Sequence, residues 1–351
     1  MFKLNARRCL VIIKYNDKDI STDLQQYLKN VSYTDNISGE ADDLQLTLED
    51  KAGLWQSAWM PEKGATLDVS VKLINWQSIG EQVVRFGLFE IDEITISGMP
   101  SEVQIKAVSV PDNNNLRGAE RTRSWEKAEL KRIANDIATE AGLTLYYDVK
   151  EYNPVIDRAE QTEQSDLSFL YKLCADHGLA LKICDKQVVI FDEADYEAAE
   201  AVALVPKPKG SYSADSLKVL DMLKSYSLRS KVRDVYRSCH VKYQDSSTKQ
   251  KIEATFTAPD KKMGKTLEVN EQVASIADAE RLAKKKLREK NSDEVTGSLS
   301  FLGNPEVAAA VNIQLSGFGA FDGKYIITKA QHDISSGYTT SIDVRRCLDG
   351  Y

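Results

Sequence analysis

The sequence is poor in the residues that most often carry chemistry. Its five cysteines are an odd number, stand at irregular spacing and include no CxxC pair. A disulfide framework and a ribbon-type zinc site both depend on regular cysteine spacing, so neither is indicated. The cysteines are predicted to be small core residues, at positions Cys9, Cys174, Cys184, Cys239 and Cys347.

Histidine is rarer still, and the three in the chain are His177, His240 and His332. None lies in an HExxH motif or follows a GxSxG elbow, which argues against a Ser-His-Asp hydrolase. Cys174, His177 and Cys184 could be grouped as a metal site. Cys174 and His177 share a helical pattern with Leu170 and Leu173, however, and structural zinc requires four convergent ligands. No metal is predicted there.

Long apolar runs are also missing. The N-terminal stretch MFKLNARRCLVIIKY has an apolar run of only five residues. Such a run is too short for a secretory h-region or a membrane span. The protein is therefore expected to have no membrane anchor and to be made and kept, at least initially, in a cytoplasm.

Positive charge is not in excess, since the net charge is −7 and the pI about 5.3. A nucleic-acid binder normally presents a basic face that displaces counterions from phosphates, so no sequence-specific nucleic acid is expected as a partner. The run KKKLREK at 284–290 lacks interleaved aromatic residues and is predicted to be a solvated helix face.

The chain has instead the composition of an ordinary globular protein, with 42% hydrophobic and 28% charged residues. Its 351 residues are enough for two or three domains. Three domains are predicted: a β domain over residues 1–110, a small α+β domain over 111–200, and a second β domain with one helix over 201–351.

Period-two alternation marks the first region. In EADDLQLTLED at 40–50, three leucines at positions 44, 46 and 48 alternate with polar residues, which predicts a strand with one buried face. The adjacent pair Asp42–Asp43 is then the entrance to this strand rather than an acidic site. In VVRFGLFEIDEI the alternation slips by one residue between Ile91 and Ile94, which predicts a β-bulge. An antiparallel sheet that curls into a barrel or a sandwich is expected.

The period changes to 3.6 residues in the second region. The apolar stripe of SWEKAELKRIANDIATEAGL predicts a helix with Ser124 as N-cap and Gly142 in the left-handed C′ position. A second helix is predicted in SDLSFLYKLCADHGL, capped by Ser165 or Asp166 and ended by Gly178. The short strands LTLYYD and LALKICDKQVVIFD follow these helices and complete an α+β pattern.

The segment PKPKGS at 206–211 is a predicted linker, because its prolines and glycine cannot continue a helix or a central strand. Strand patterns resume beyond it, in YRSCHVKYQD, KIEATFT, EVTGSLSFLG, NIQLSGF, KYIITKAQHDI and YTTSIDVRR. One helix interrupts them, in SIADAERLAKKKLREK. Ser275 is its predicted N-cap, and the predicted inward face consists of Ile276, Ala279, Ala283 and Leu287.

No catalytic, cofactor-binding or metal-binding residues are predicted. Glu90, Asp92 and Glu93 could supply the paired carboxyls of a glycosidase. Acidic residues that alternate along a strand more often form its solvated face, and this is the preferred interpretation. The stretch GFGAFDG at 317–323 lacks the third glycine of a dinucleotide fingerprint and precedes a strand, so a turn is predicted.

Longer stretches carry a family resemblance: EADDLQLTLEDKAGLWQSAWMPEKG, FGLFEIDEITISGMPSEVQIKA, SWEKAELKRIANDIATEAGL and QTEQSDLSFLYKLCADHGLALKICDKQVVIFD. They resemble the phage late control D protein family, the tail or baseplate hub proteins of contractile phages and related injection particles. The resemblance is strongest over about residues 38–192. Its main motif matches Gln164, Ser165, Asp166, Leu167, Phe169, Leu170 and Gly178, and a weaker C-terminal pattern matches Gly323, Tyr325, His332 and Thr340.

The resemblance implies a mainly β fold with α+β, in which two tube-like antiparallel β-barrel domains flank a small α+β domain. It implies a structural hub without enzymatic activity or cofactors, and a homotrimer whose six barrels join a sixfold tail tube to a threefold spike. The expected partners are the tail tube protein, baseplate wedge proteins and a separate trimeric spike protein, since spike-fused type VI secretion relatives extend past this length. The expected final location is the tail of a released phage or phage-tail-like particle.

Two alternatives stay open. A tail-tip enzyme that degrades the cell wall would need paired carboxylates or a histidine-bound metal, and a carbohydrate- or receptor-binding module would need exposed aromatic residues. Trp55 and Trp59 lie four residues apart beside a turn and are predicted to plug a barrel end or an interface. The sequence also lacks the glycine that the family pattern predicts near Ala309–Ala310.

Overall fold

The computed structural model describes residues 6–76, 79–110, 116–150, 152–208, 218–220, 222–244, 251–271, 273, 275–348 and 350. In these residues the protein is mostly β, with several sheets. The chain divides into two compact units. The first comprises Met1–Asp192, Phe301–Ala309 and Lys329–Ser341, and the second comprises Glu193–Ser300, Ala310–Thr328 and Ile342–Tyr351.

The described elements include the predicted strands and the three predicted helices, together with further strands and two short helices that were not predicted. Strands β1 to β12 are Arg8–Tyr15, Lys18–Asp19, Leu28–Asn36, Asp43–Glu49, Thr66–Ile74, Glu81–Ser97, Glu102–Val108, Glu120–Glu129, Thr144–Asp148, Val155–Ser165, Ala180–Cys184 and Gln187–Phe191. Strands β13 to β22 are Ala203–Pro206, Lys218–Val219, Leu223–Ser230, Tyr236–Gln244, Lys251–Thr257, Lys265–Val269, Val295–Leu302, Asn312–Ser316, Gly323–Ile334 and Tyr338–Arg346. Helices α1 to α5 are Ser21–Gln25, Leu130–Glu140, Asp166–Asp176, Glu193–Ala198 and Ile276–Asn291.

The first unit contains an antiparallel sheet with strand order β2-β1-β5-β6-β7-β4-β3. Residues 329–334 of β21 pair with β3 and extend this sheet. On β4 the three leucines at 44, 46 and 48 are buried, while the residues between them are half-buried, as the alternation predicts. Burial of one such side chain stabilises the fold by about 1.5–3 kcal/mol. The predicted antiparallel sheet is therefore confirmed.

Two β-bulges interrupt the long strand β6. The pairing of β6 with β7 shifts between Ile91 and Glu93, which confirms the bulge predicted there. A second shift lies opposite Val69 on β5, beside Gly87, whose φ of +137° suits glycine. Each bulge moves the following side chains to the other face of the strand. The strand can thus keep Phe86, Phe89 and Ile91 in the core despite their irregular spacing.

Helices α2 and α3 form the core of the α+β part of the first unit. The predicted apolar stripe of α2 is buried, at Leu130, Ile133, Ala134, Ile137 and Ala138. Gly142 and Gly178 adopt the predicted left-handed conformation, with φ values of +66° and +72°. The Ser165 hydroxyl oxygen accepts the Ser168 N–H at 3.3 Å and caps α3, as predicted.

The predicted N-cap at Ser124 is wrong. Residues 120–129 form β8, which pairs with β10 so that Ser124 lies opposite Glu160. Helix α2 begins at Leu130, with Glu129 as an N-cap that makes no side-chain capping bond. The apolar stripe itself starts only at Leu130, so the preceding residues gain more from strand pairing than from helical packing.

The second unit contains the three-stranded sheet β17-β16-β18, against which α5 packs. Ser275 accepts the Asp278 N–H at 3.1 Å, which confirms the predicted cap. Three of the four predicted inward residues, Ala279, Ala283 and Leu287, are buried. Ile276 is 62% exposed, so its predicted inward position is wrong. It is the first residue of the helix and precedes the stretch that packs on the sheet.

A second group of strands in this unit includes β13, which is parallel to β14 and β20, and β20 is antiparallel to residues 323–326 of β21. Strand β13 ends at Pro206, where the predicted linker 206–211 starts, and residues 209–211 lie outside the described residues. The predicted domains 1–110, 111–200 and 201–351 are contiguous, whereas residues 301–309 and 329–341 pack with the first unit. The three-domain division stays a prediction.

Ala310 occupies a backbone conformation that favours glycine, with φ at +65°. An L-residue there costs roughly 1–2 kcal/mol relative to glycine. This is where the family pattern predicts a glycine. The substitution Ala310→Gly is therefore expected to raise the free energy of unfolding by about 1 kcal/mol, measured by urea denaturation.

Ala309→Gly is the matched control for this substitution, because Ala309 does not have a positive φ. Glycine at that position only increases the conformational entropy of the unfolded chain. The free energy of unfolding of this variant should therefore fall by about 0.5–1 kcal/mol. A loss of stability in both variants would contradict the assignment of backbone strain to Ala310.

Candidate functional site

The motif around α3 is organised by one buried carboxylate. Asp166 is 1% exposed, and its Oδ1 accepts hydrogen bonds from Arg123 Nη2 at 2.8 Å and Gln161 Nε2 at 2.7 Å. Gln161 is fully buried and also donates to the Gln164 carbonyl at 2.9 Å. Its own Oε1 accepts from Arg123 Nε at 2.9 Å. This network ties α3 to β8 and β10.

An aromatic stack reinforces the same junction. The Trp125 and Phe169 rings are nearly parallel, with centroids 5.4 Å apart and an interplanar angle of 9°. The Arg123 guanidinium carbon lies 4.7 Å from the Trp125 ring centroid, within cation–π range. Trp125 Nε1 donates to Asp136 on α2 at 3.2 Å. Asp166 and Phe169 of the family motif therefore fix the position of α3, and this arrangement gives a structural reason for the motif.

Arg123→Ala is expected to lower the free energy of unfolding by about 3 kcal/mol, because it leaves the Asp166 carboxylate buried without its main cationic partner. Chemical denaturation of the purified chain measures this loss. The matched control is Arg158→Ala on β10, whose pair with Glu160 is more than half exposed and should be worth under about 0.5 kcal/mol. Equal losses in the two variants would contradict the structural role of the motif.

Asp42 and Asp43 have different environments although they are adjacent. Asp42 is 3% exposed, and its Oδ2 lies 3.1 Å from Lys182 Nζ. Its Oδ1 accepts the Asn36 N–H at 2.9 Å. Lys182 also pairs with Asp35 and donates to the Asn36 carbonyl at 2.8 Å. The prediction that the pair merely begins a strand is therefore wrong for Asp42, which belongs to a buried group here called the lysine cluster: Asp35, Asp42 and Lys182.

The protonation of the lysine cluster follows from its burial. Burial raises the pKa of Asp42 to about 7, although the Lys182 cation opposes this rise. Burial works to lower the pKa of Lys182, but the carboxylates of Asp35 and Asp42 outweigh it and raise that pKa. The cluster thus combines a lysine cation with one carboxyl group that is partly protonated near neutral pH.

His332 lies in a second buried polar group of the first unit and is 2% exposed. Its Nε2 lies 3.1 Å from the Val307 carbonyl oxygen, and its Nδ1 lies 2.9 Å from the Tyr338 hydroxyl and 3.1 Å from that of Thr340. These partners suit a neutral imidazole that donates from Nε2 and accepts at Nδ1. The ring also stacks against Tyr33. His332 and Thr340 of the C-terminal pattern are therefore joined by a buried hydrogen bond.

The buried position of His332 predicts a pH dependence of stability. Burial lowers its pKa to about 4, from an ordinary value near 6.5. As the pH falls, the unfolded chain protonates His332 before the folded chain does. The stability that the neutral, buried His332 contributes is therefore fully present above pH 6.5 and is lost as the pH falls towards 4. The loss amounts to about 3 kcal/mol for a shift of this size.

Urea denaturation of the wild type and of His332→Gln between pH 4 and 8 measures this effect. The variant lacks the titrating group, so its deficit relative to the wild type should shrink as the pH falls below 6.5. A deficit that stays constant over the whole range would show that His332 does not titrate as the structure indicates.

Trp55 and Trp59 form an aromatic group with Tyr27, with centroid distances of 5.5–6.2 Å and edge-on geometry. They line a mostly apolar cavity of about 550 Å³ in the first unit, together with Met60 and Leu67. Trp55 is buried, whereas Trp59 is 40% and Met60 44% exposed. The predicted placement of these tryptophans at a barrel end or an interface stays a prediction.

The second unit has its own buried ion network. Glu197 of α4 is 2% exposed and pairs with both Arg288 and Arg345, and it also accepts the Leu348 N–H at 2.8 Å. Arg345 additionally pairs with Glu193 at 2.6 Å. Arg345 is 7% exposed, and the carboxylates of α4 provide it with buried partners.

The basic run 284–290 is only partly solvated. Lys284 and Lys290 are exposed as predicted, whereas Arg288 pairs with the buried Glu197.

The predicted turn in GFGAFDG is confirmed, since a single 3-10 turn at Gly319–Phe321 connects β20 to β21.

The carboxylates of FEIDEI do not share one environment. Glu90 is 7% exposed, so its predicted place on a solvated face is wrong. The bulge that follows it changes which residues of β6 face inward. Asp92 pairs with Arg117 at 3.4 Å, and Glu93 is exposed.

The proposed metal grouping is not assembled as a site. Cys174 is buried on α3, His177 Nδ1 contacts the Tyr152 hydroxyl at 3.0 Å, and Cys184 ends β11. Burial raises the pKa of Cys174 to about 12 and that of Cys184 to about 11, so both thiols are held protonated. Among the described residues, no three His, Cys, Asp or Glu side chains converge to hold a metal ion.

None of the helices in the part of the chain that the structure describes has the length and apolar character that crossing a membrane requires.

The fold is shared with solved tail proteins. The 43 kDa tail protein of prophage MuSo2 from Shewanella oneidensis matches with a TM-score of 0.70 over 97% of this chain and 99% of that chain, at 15% identity. The E. coli c3393 protein, described as a type VI secretion component with structural similarity to T4 bacteriophage tail proteins gp27 and gp5, matches with a TM-score of 0.55 over 93% and 75% of the two chains, at 12% identity. Both likenesses show the fold.

The sequence comparisons define the family. The chain is 30% identical over 167 residues to the probable baseplate hub protein of Escherichia phage P2, a match that covers 48% of this chain and 41% of that protein. The family model for the phage tail baseplate hub (GPD) matches residues 102–338, more than half of the chain, and the protein belongs to this family. The family-level prediction is confirmed.

Proposed function

We propose that the protein is the structural hub of a contractile phage tail or phage-tail-like injection particle. Three copies join a sixfold tail tube to a threefold spike, and contraction of a sheath drives the assembly through a cell envelope. The observation that carries this proposal is the match of residues 102–338 to the baseplate hub family. The likeness to a solved tail protein over 97% of the chain supports it.

The partners follow from this position in the particle. They are two further copies of this chain, the tail tube protein, baseplate wedge proteins and a separate trimeric spike. The particle is assembled in the bacterial cytoplasm, and the protein then resides in the baseplate. The function requires no catalysis, and the fold consists of two β-barrel domains, within 1–110 and 201–351, that flank the α+β domain 111–200.

The net charge of −7 suits a tube wall that must let cargo pass. Like charge disfavours adhesion of nucleic-acid phosphates, so an acidic hub would transmit DNA without retaining it. The buried ion networks suit the mechanical load, because each one ties together segments that are distant in sequence.

The solution mass of the purified chain tests the proposal. Light scattering is performed on the chain alone and on its mixture with the spike protein of the same particle. A trimer, alone or only with the spike, supports the hub. A monomer under both conditions contradicts it, and clearing of a peptidoglycan suspension by the pure chain would then support the tail-tip enzyme.

Trp59 and Met60 form an exposed apolar tip that is proposed to contact a neighbouring copy, because Trp is enriched at the centre of protein interfaces. Trp59→Ala is expected to weaken trimer association by at least about tenfold, as measured by the concentration dependence of the scattering mass. The matched control is Met263→Ala, an 87% exposed apolar residue of the other unit, which should leave the mass unchanged. Unchanged association of the Trp59 variant would exclude the tip from the interface.

A further inference from the structure

The lysine cluster has a geometry that a salt bridge alone does not require. Lys182 on β11 contacts Asp35 on β3, although the two residues are 147 positions apart in the chain. Asp42, just before β4, approaches the same amine at 3.1 Å. The exposed fractions of the three side chains are 17% for Lys182, 9% for Asp35 and 4% for Asp42. One amine is thus held against two carboxyl groups with little access to water.

The two oxygens of Asp35 have different partners. Oδ1 contacts the Lys182 amine, whereas Oδ2 accepts the Ala309 N–H at 2.8 Å. A backbone N–H in this position polarises the carboxyl group and can stabilise negative charge that develops on Oδ2. The Asn36 carbonyl accepts a second hydrogen bond from the Lys182 amine at 2.8 Å and fixes its direction.

We propose that Lys182 and Asp35 are joined by an intramolecular isopeptide bond, formed spontaneously in the folded chain with Asp42 as the proton carrier. A proton first passes from the Lys182 ammonium to the Asp35 carboxylate. The neutral Nζ then attacks Asp35 Cγ, and the oxyanion on Oδ2 is held by the Ala309 N–H. Asp42 takes the proton from nitrogen and delivers it to Oδ1, which leaves as water. One C–N bond replaces one C–O bond, and no oxidant or cofactor is consumed.

Three physical conditions favour this reaction in the cluster. In a medium of low dielectric, the transfer of a proton within the Lys182–Asp35 ion pair, which leaves an uncharged amine and an uncharged carboxyl group, costs less than it does in water. The two reacting groups are already in contact, which removes the entropic cost of bringing them together. Asp42 can both accept and donate a proton near neutral pH, because burial raises its pKa to about 7.

Two tyrosines lie near the cluster. Tyr33 and Tyr171 are close enough for the cluster to influence their pKa values, and burial raises the pKa of both, that of Tyr171 to about 12. The Tyr171 hydroxyl is buried without a hydrogen-bond partner. Neither phenol therefore ionises to compete with Asp42 for protons. The new bond would tie β3 covalently to β11 and resist their separation under a pulling force.

Intact-mass spectrometry of the full chain under denaturing conditions tests the proposal. The bond lowers the mass by one water, about 18 Da, relative to the sequence mass. Proteolysis should then release a branched peptide that joins the segments around residues 35 and 182. A wild-type mass equal to the sequence mass overturns the proposal, and this result does not depend on the folding of any variant.

Three variants identify the bond. Lys182→Arg keeps the cation but removes the amine, and Asp42→Asn keeps the size of the side chain but removes the proton carrier, so both should show no water loss. Asp43→Asn is the matched control, since this half-buried neighbour has no role in the cluster, and it should retain the loss. A water loss that persists in Lys182→Arg would indicate a cyclic imide at Asp35–Asn36 and would overturn the proposal.

Discussion

The structure depends on the requirement that a charge removed from water be paired. An unpaired buried ion costs several kcal/mol, so each buried carboxylate here determines which distant segment must lie beside it. In the first unit such pairs connect α3 to β8 and β3 to β11, and in the second they connect α4 to α5 and β22. The carboxylates concerned are Asp166, Asp35, Asp42 and Glu197. Apolar packing supplies most of the stability, whereas these ions specify which elements meet.

This division explains which parts of the fold were predictable. Strand alternation and helical stripes are local properties, and they predicted many of the strands, the three longer helices, the bulge after Ile91 and the caps at Ser165 and Ser275. Strands such as β10 and β13 were not predicted. The N-cap prediction for Ser124 was wrong because a polar residue that precedes a helical stripe can also belong to a strand. The placement of β8 depends on β10, which is distant in the sequence.

The buried charges could not be predicted for the same reason. Asp42, Glu90 and Arg345 stand at positions where a short-range pattern indicates solvent exposure. Their burial follows from partners that the chain brings from far away, as Lys182 does for Asp42. The family resemblance did identify the motif that contains Asp166, and the structure supplies its physical reason. That motif fixes the position of α3.

The proposed hub would have to transmit force, which requires strong ties between its parts more than it requires a pocket. The ion networks of both units are ties of this kind, and the chain belongs to the phage tail baseplate hub family. Cryo-electron microscopy of particles assembled with this chain tests the central claim most directly. The account predicts three copies around the particle axis, between the tail tube and the spike. Density for the chain at the periphery of the baseplate, or in a number other than three, would contradict it.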